Sequence, residues 1–214
     1  MTARGRLALK ALVWALGLAP LAWLLWRTWS DDLGANPVSE ITNTLGDWTL
    51  RILLTTLAVT PLRMVTGWGW PPTLRRLIGL FAFFYVVLHF LTWVVIDHFF
   101  NWRQMGPDIV KRPYITIGML GLLTLTPLAI TSTAGMIKRL GARRWKRLHR
   151  LAYIAGTLGV LHFVWLAKVG RTEPWWYAAA LVVLLGVRAV DALRRRARAA
   201  RAEAKLHLNA TGRP

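Results

Sequence analysis

Hydrophobic residues are gathered into six long runs that are separated by short polar connections. The runs cover residues 7–26, 48–65, 77–96, 114–130, 151–169 and 175–190. A helix needs about 20 mainly apolar residues to cross the hydrocarbon layer of a bilayer, and flanking side chains that reach the interface can extend a shorter run. The pattern therefore predicts an all-α membrane protein with six transmembrane helices.

The first run has a second interpretation. It follows Arg4, Arg6 and Lys10, and a signal peptide also begins with positive charge. However, this run is rich in tryptophan and has no small-residue cleavage site after it. We therefore interpret it as a transmembrane helix.

The cations alternate between connections. Of the 28 lysines and arginines, 21 lie before the first run, in the second and fourth connections, and in the tail that begins at Arg188. The positive-inside rule makes these four segments cytoplasmic, so both termini are expected inside the cell. Most acidic residues lie in the other connections, which makes the outer face a candidate docking surface for a partner.

The formal net charge of +19 would suggest nucleic-acid binding in a soluble protein. Here the mean hydropathy is +0.40 and the charge follows the membrane topology, so we predict a lipid-embedded chain and no nucleic-acid partner. Residues 1–192 are expected to form one transmembrane domain. Residues 193–214 are expected to form a basic cytoplasmic tail, which lies on anionic headgroups or is disordered.

Two short motifs occur twice in the same order. Thr-Pro-Leu closes the second and fourth runs, and Leu-His-Phe lies in the outer half of the third and fifth runs. This order predicts a bundle with two parallel helix-pair repeats, helices 2–3 and helices 4–5. It also predicts that His89 and His162 lie at one depth and face each other.

An ionisable residue inside a membrane span is a functional candidate, because burying it unpaired is costly. The alternative for His89 and His162 is a structural hydrogen bond to a threonine or serine of another helix. The chain has no cysteine, which excludes disulfides, iron–sulfur clusters and covalent haem. An opposed pair of imidazoles suits the axial positions of a haem better than a zinc or di-iron site, since those sites need three or four ligands.

A haem also needs an apolar slot. Gly156 and Gly159 precede His162 on its helix, and Tyr85 and Trp93 lie four residues either side of His89. We expect these four residues to shape the slot, although small and aromatic residues also pack membrane helices in general.

A second site is predicted near the cytoplasmic surface. His149 lies 13 residues before His162, and Arg76 occupies the corresponding place before His89. Arg75 and Arg76 would then hold propionates or a phosphate. The alternative for His149 is an interfacial side chain beside Trp145. His98 and His207 are expected to be solvated.

Several segments taken together resemble the MsrQ (YedZ) family, the haem-binding membrane subunits of the bacterial periplasmic protein-methionine-sulfoxide reductase system. The resemblance rests on LGANPV at 33–38, VTPLR at 59–63, RRLIGL at 75–80, LH at 88–89, KRPYIT at 111–116, TST at 131–133, WKRLHRLAY at 145–153 and HFVW at 162–165.

The resemblance implies a ferric reductase-like transmembrane protein of the bacterial inner membrane that binds b-type haem, in one or two copies, and FMN. It implies that electrons pass from the quinone pool to a periplasmic molybdopterin-containing reductase, which repairs oxidised methionine in proteins. It makes His89, His149 and His162 the haem ligands. Relatives with four histidines carry a second one on the first liganding helix; Arg76 and Trp102, 13 residues either side of His89, show that this chain has none there, which leaves the haem count open.

The functional prediction is a non-catalytic electron-transfer subunit of an oxidoreductase complex, since no connection is large enough to be a catalytic domain. One alternative is a small transporter or channel, in which the histidines and threonines line a proton or ion path. Another is a structural anchor for a periplasmic enzyme.

Overall fold

The computed structural model describes residues 2–167 and 172–211, with side chains as far as residue 203. The described residues form nine α-helices and one π-helical turn, and no strand. The helices are α1 Ala3–Trp29, α2 Pro37–Thr66, α3 Pro71–Leu91, α4 Trp102–Lys111, α5 Pro113–Ile130, α6 Ala134–Leu140, α7 Ala142–Leu148, α8 Leu151–Leu166 and α9 Glu173–Thr211, and the π-helical turn Thr92–Asp97 extends α3. The all-α prediction is confirmed.

Four helical segments of the described chain are long and apolar enough to cross a membrane: Ala3–Trp29, Pro71–Asp97, Pro113–Ile130 and Glu173–Glu203. The other two predicted spans fall on α2 and α8. The apolar part of α2 contains Arg51, Arg63 and several threonines, which lower its hydropathy, and α8 has only 16 residues. Length and composition therefore support four candidate transmembrane helices, two fewer than the six that the sequence pattern predicted.

The residues at the two ends of α2 explain where this helix begins and ends. Asn36 caps α2, because its side-chain oxygen accepts a hydrogen bond from the Ser39 N–H at 3.1 Å, and Pro37 occupies the first turn. Gly67 terminates α2 with a φ of 71°, a left-handed conformation that glycine adopts without strain. The connection before α2 is fixed by Arg27, which donates to Glu40 at 2.7 Å.

Helix α2 is the central element of the packing. Three clusters of buried side chains lie along it: one against α1 and α3 around Leu45, one against α8 and α9 around Leu57, and one against α3, α5 and α8 around Leu53. Helix α2 packs mainly against α3, and α5 packs mainly against α8. On the outside, large apolar residues such as Leu16 and Val182 are 62% and 69% exposed. A bilayer is the solvent that suits this surface.

A tyrosine joins α1 to α3. Pro20 interrupts the hydrogen bonding of α1, and the buried Tyr85 hydroxyl enters the helix just beside it. This hydroxyl accepts from the Leu21 N–H at 3.1 Å and donates to the Gly17 carbonyl at 2.7 Å. It thereby replaces one backbone hydrogen bond that α1 lacks at that point.

Helix α9 runs without a break through residue 192, where the tail was expected to begin. The side chains from residue 204 onward, including His207, lie outside the described residues, as do the last two residues of the predicted fifth run.

We expect Tyr85→Phe to destabilise the protein by about 1–3 kcal/mol, because two buried backbone groups of α1 lose their partner. The thermal unfolding of the purified protein in detergent measures this loss. Tyr114→Phe is the matched control, since among the described residues the Tyr114 hydroxyl bonds only to the exposed Arg112, at 3.3 Å. Equal unfolding midpoints for the two variants would show that the Tyr85 bridge is dispensable.

Candidate functional site

An apolar cavity of about 340 Å³ lies between α2, α3, α5 and α8. Ligand pockets in proteins span about 300–1,000 Å³, so this volume suits a small molecule. Leu50, Leu53 and Leu125 form part of its wall, while Ser39 and Asn43 line it at the first turns of α2. We call it the outer cavity, since the predicted topology places its Ser39 end on the outer side.

The structure brings His89 and His162 together in the outer cavity. Their ring centres are 6.2 Å apart and their planes are nearly perpendicular, at 81°. A metal–imidazole bond is about 2 Å long, so imidazoles on opposite sides of one metal ion have ring centres about 6 Å apart. The spacing of the two rings therefore matches that of two axial ligands.

Each of these imidazoles is held by the backbone of a neighbouring helix. The His89 Nδ1 lies 2.9 Å from the Thr42 carbonyl of α2, and the His162 Nδ1 lies 2.7 Å from the Tyr114 carbonyl of α5. A carbonyl only accepts, so each Nδ1 carries the proton and donates it. Metal-binding histidines are commonly oriented in this way, with the other nitrogen, Nε2, left for the metal.

A glycine lies one turn after each of these carbonyls. A Cβ on Gly46 would lie 3.1 Å from the His89 ring, and a Cβ on Gly118 would lie 3.1 Å from the His162 ring. The absent side chains let each imidazole lie directly against the partner helix. Sequence reasoning missed both glycines, although an isolated glycine within a helical run is a signal of close packing.

The threonine-proline motifs are not equivalent relative to these contacts. Thr60-Pro61-Leu62 lies almost two turns further from Gly46 than Thr126-Pro127-Leu128 lies from Gly118. The histidine, carbonyl and glycine contacts correspond between the two helix pairs, whereas the Thr-Pro-Leu motifs do not.

The expected slot residues are mostly wrong. Gly159 does line the outer cavity, but Gly156 instead packs against Leu57 of α2, where a Cβ would come within 2.9 Å. The Tyr85 hydroxyl bonds to α1, and Trp93 contacts His98, with ring centres 4.7 Å apart. Helical periodicity placed each of these residues on the correct helix, but it did not show which neighbouring group the residue contacts.

A second cavity of about 510 Å³ lies at the other end of the bundle and contains His149, Arg75 and Arg76 in its lining. We call it the cytoplasmic cavity. Leu53 and Leu125 line both cavities, so a single layer of side chains separates them there. The sequence analysis placed Arg76 and His149 at corresponding positions, and in the structure both residues line this one cavity.

His149 is framed by two residues. Its ring stacks on Trp145 at 3.8 Å, and its Nε2 lies 3.2 Å from the Thr131 hydroxyl. That hydroxyl donates to the Pro127 carbonyl at 2.6 Å, so it accepts from the Nε2–H, and Nδ1 keeps the free lone pair. Burial lowers the pKa of the His149 imidazole, which keeps the ring neutral at pH 7.

His98 is not solvated, contrary to expectation. Its side chain is 9% exposed and lies between two carboxylates, 3.3 Å from Asp97 and 3.1 Å from Asp108. His98 lies in the connection between α3 and α4, far along the sequence from the basic residues that line the cavities. It therefore joins the outer loops rather than either site.

Apart from Thr131, several threonine hydroxyls near the two cavities bond within their own helices. Those of Thr49, Thr56 and Thr126 each donate to a carbonyl one turn back in their own helix, at 2.8 to 2.9 Å. Hydroxyls used in this way do not offer a continuous polar path. Among the described residues, no three histidine, aspartate or glutamate side chains are grouped to hold a metal ion. Asp47 also lines the outer cavity, but it does not form such a group with the two imidazoles.

Residues 45–160 match the family described as ferric reductase-like transmembrane component. The chain is 51% identical over 192 residues to the protein-methionine-sulfoxide reductase heme-binding subunit MsrQ of Rhodospirillum rubrum, covering 90% of each chain. The MsrQ subunit of Herminiimonas arsenicoxydans is 47% identical over 89% of this chain and 88% of its own. That of Caulobacter vibrioides is 49% identical over 81% of this chain and 83% of its own.

We expect Gly118→Ala to destabilise the protein by about 1–3 kcal/mol, because the new methyl group must displace the His162 ring or α5. The thermal unfolding midpoint in detergent reports the change. Gly121→Ala is the control, since Gly121 lines the same cavity but a Cβ there meets only Leu158, at an ordinary 3.9 Å. If both variants unfold at the same temperature, the close approach of His162 to α5 is not a constraint.

Proposed function

Because the chain belongs to the MsrQ family of protein-methionine-sulfoxide reductase heme-binding subunits, we propose that it is an electron-transfer subunit built around b-type haem. This family lies within the ferric reductase-like transmembrane group. The observation that carries the proposal is the pair of backbone-anchored imidazoles, His89 and His162, with ring centres 6.2 Å apart in an apolar cavity.

The residues of the outer cavity fit a haem. A haem held by two histidines needs one imidazole on each side and apolar walls for the porphyrin. His89 and His162 supply an Nε2 each, and the leucines and Phe163 supply apolar lining. No catalytic acid or base is required of this chain, since the haem supplies one-electron chemistry when it is bound.

The protein itself orients the two imidazoles and excludes water from the region between the two cavities. The Thr42 and Tyr114 carbonyls fix the two ring orientations by accepting from Nδ1–H, which would also make each Nε2 a better donor to a bound metal ion. The buried Leu53 and Leu125 keep water out between the two cavities. Groups held in the two cavities would be separated there only by this layer.

The cytoplasmic cavity is the proposed entry side. His149 is the proposed ligand of a second haem there, with Arg75 and Arg76 holding its propionates or the phosphate of FMN. One neutral imidazole and a basic rim support this assignment. Quinol is the proposed electron donor and a periplasmic molybdopterin-containing reductase the proposed acceptor.

We propose that six segments cross the bacterial inner membrane, with both termini in the cytoplasm. The 30-residue length of α2 and the near-absence of charge in α8 support the two spans that hydropathy alone leaves out. Residues 1–192 would hold the cofactor sites, and the basic extension 193–214 would contact anionic lipid.

We expect His89→Ala and His162→Ala each to remove the haem of the outer cavity, because after either substitution only one of the two opposed imidazoles remains to hold it. The absorbance of the dithionite-reduced, purified protein in the b-type region, related to protein concentration, measures the loss. His149→Ala should leave this haem in place. His98→Ala is the control, since His98 lies in the lining of neither cavity.

Two outcomes would contradict the proposal. A wild-type protein without a dithionite-sensitive b-type band would rule out a haem subunit and favour a transporter or an anchor. A band that survives both His89→Ala and His162→Ala would show that the imidazole pair is not the haem site.

A further inference from the structure

The rim of the cytoplasmic cavity is strongly positive. Its lining includes five cations and no acidic residue: Arg75, Arg76, Lys146, Arg150 and Arg188. The rest of the lining is largely apolar, with Leu53, Leu57, Leu80 and Phe83 among the residues. A ligand with an apolar body and an anionic group matches both parts.

Arg188 is the unexpected member of this set, since the charge pattern made it the first residue of the tail. It lies on α9, which approaches the cavity from outside the two helix pairs. Its guanidinium covers the Tyr153 ring at 5.2 Å and donates to the carbonyls of Leu184, at 3.1 Å, and Leu57. Arg188 is thus anchored in the bundle.

The contact with Leu57 has a specific cause. Pro61 has no N–H, so the Leu57 carbonyl, four residues earlier in α2, lacks its helical partner. Arg188 donates to this carbonyl and so satisfies it. Two backbone carbonyls, however, do not neutralise a full positive charge.

The charge of Arg188 has no acidic partner among the described residues. Asp191, the nearest carboxylate along α9, is paired with Arg195 at 2.8 Å. The Nε of Arg188 is buried without a hydrogen-bond partner in the described protein, and the charge of Arg75 repels that of Arg188. An unpaired charge at membrane depth is costly, which points to an anion as the missing partner.

We propose that Arg188 binds the anionic group of the cofactor in the cytoplasmic cavity, together with Arg75. Given His149 in the same lining, the group assigned is a haem propionate; a flavin phosphate presents the same anionic oxygens. This inference rests on the proposed function and extends it to a residue of α9.

The test uses the full chain purified from membranes, as wild type, Arg188→Gln and Arg188→Lys. Arg195→Gln is the matched control, because Arg195 lies on the same helix but is 73% exposed and paired with Asp191. Haem is counted by its pyridine complex, FMN by fluorescence after release, and bound phospholipid by phosphorus. A charged hydrogen-bonded pair is worth about a tenfold change in affinity or more.

The expected result is that Arg188→Gln loses haem from the cytoplasmic cavity and keeps the outer haem. Arg188→Lys should keep part of the lost haem, and Arg195→Gln should keep all of it. Any cytoplasmic haem that remains in Arg188→Gln should have a lower midpoint potential, because a positive charge that favours the reduced state is gone. A loss confined to FMN would identify the phosphate and still support the anion site.

A second pair of variants separates anion binding from structural support. Pro61→Ala restores the N–H that the Leu57 carbonyl lacks, so Arg188 is no longer needed there. If Arg188 only supports the fold, Arg188→Gln is harmless in the Pro61→Ala background, and the proposal is overturned. If Arg188 binds the anion, the cofactor is lost in that background as well.

Three further results would overturn the proposal: unchanged haem and FMN in Arg188→Gln, loss of bound phospholipid alone, and a wild-type protein that holds neither haem nor FMN in the cytoplasmic cavity. The last of these leaves the proposed function intact. A wild-type protein without any haem would instead refute the proposed function itself.

Discussion

The hydrogen bond from each membrane-embedded imidazole to a backbone carbonyl is the constraint on which the arrangement depends. His89 bonds to α2 and His162 to α5, so each histidine joins the two helices of one pair. The bond requires that the ring lie against the helix surface, and Gly46 and Gly118 permit this approach. Because both Nδ1 protons are used, both rings present Nε2, and their separation follows from where the two helix pairs meet.

Helix α2 links this constraint to the rest of the bundle. Its first turns line the mouth of the outer cavity, its middle supplies Leu53 to both cavities, and its proline-interrupted end meets Arg188 of α9. A proline that frees a carbonyl in one helix is thus satisfied by a cation from another. Likewise, Tyr85 repairs the interrupted hydrogen bonding of α1. Polar side chains that complete broken backbone bonds hold the outer helices α1 and α9 to the core, as membrane burial demands.

The sequence was sufficient for the features that depend on hydropathy and on rare residues. Long apolar runs predicted helices, and ionisable residues within such runs marked His89 and His162 as functional candidates, because unpaired ionisable groups are costly there. The repeated Leu-His-Phe motif predicted that the two histidines meet. Features that depend on a specific neighbour were not predictable. The role of Tyr85 depends on which helix covers α3, and Gly156 serves the packing of α8 on α2. Arg188 looked like the start of a basic tail, since charge pattern gives the side of the membrane but not the direction in which a side chain points. His98 looked solvated because the carboxylates around it include one from a later helix, Asp108.

The central claim is that His89 and His162 are the two axial ligands of one haem. The most direct test is the low-temperature electron paramagnetic resonance spectrum of the oxidised, purified protein. The near-perpendicular ring planes, at 81°, predict a strongly anisotropic low-spin ferric signal that disappears in His89→Ala and in His162→Ala. The absence of a low-spin ferric signal, or a low-spin signal that is unchanged in both variants, would contradict the claim.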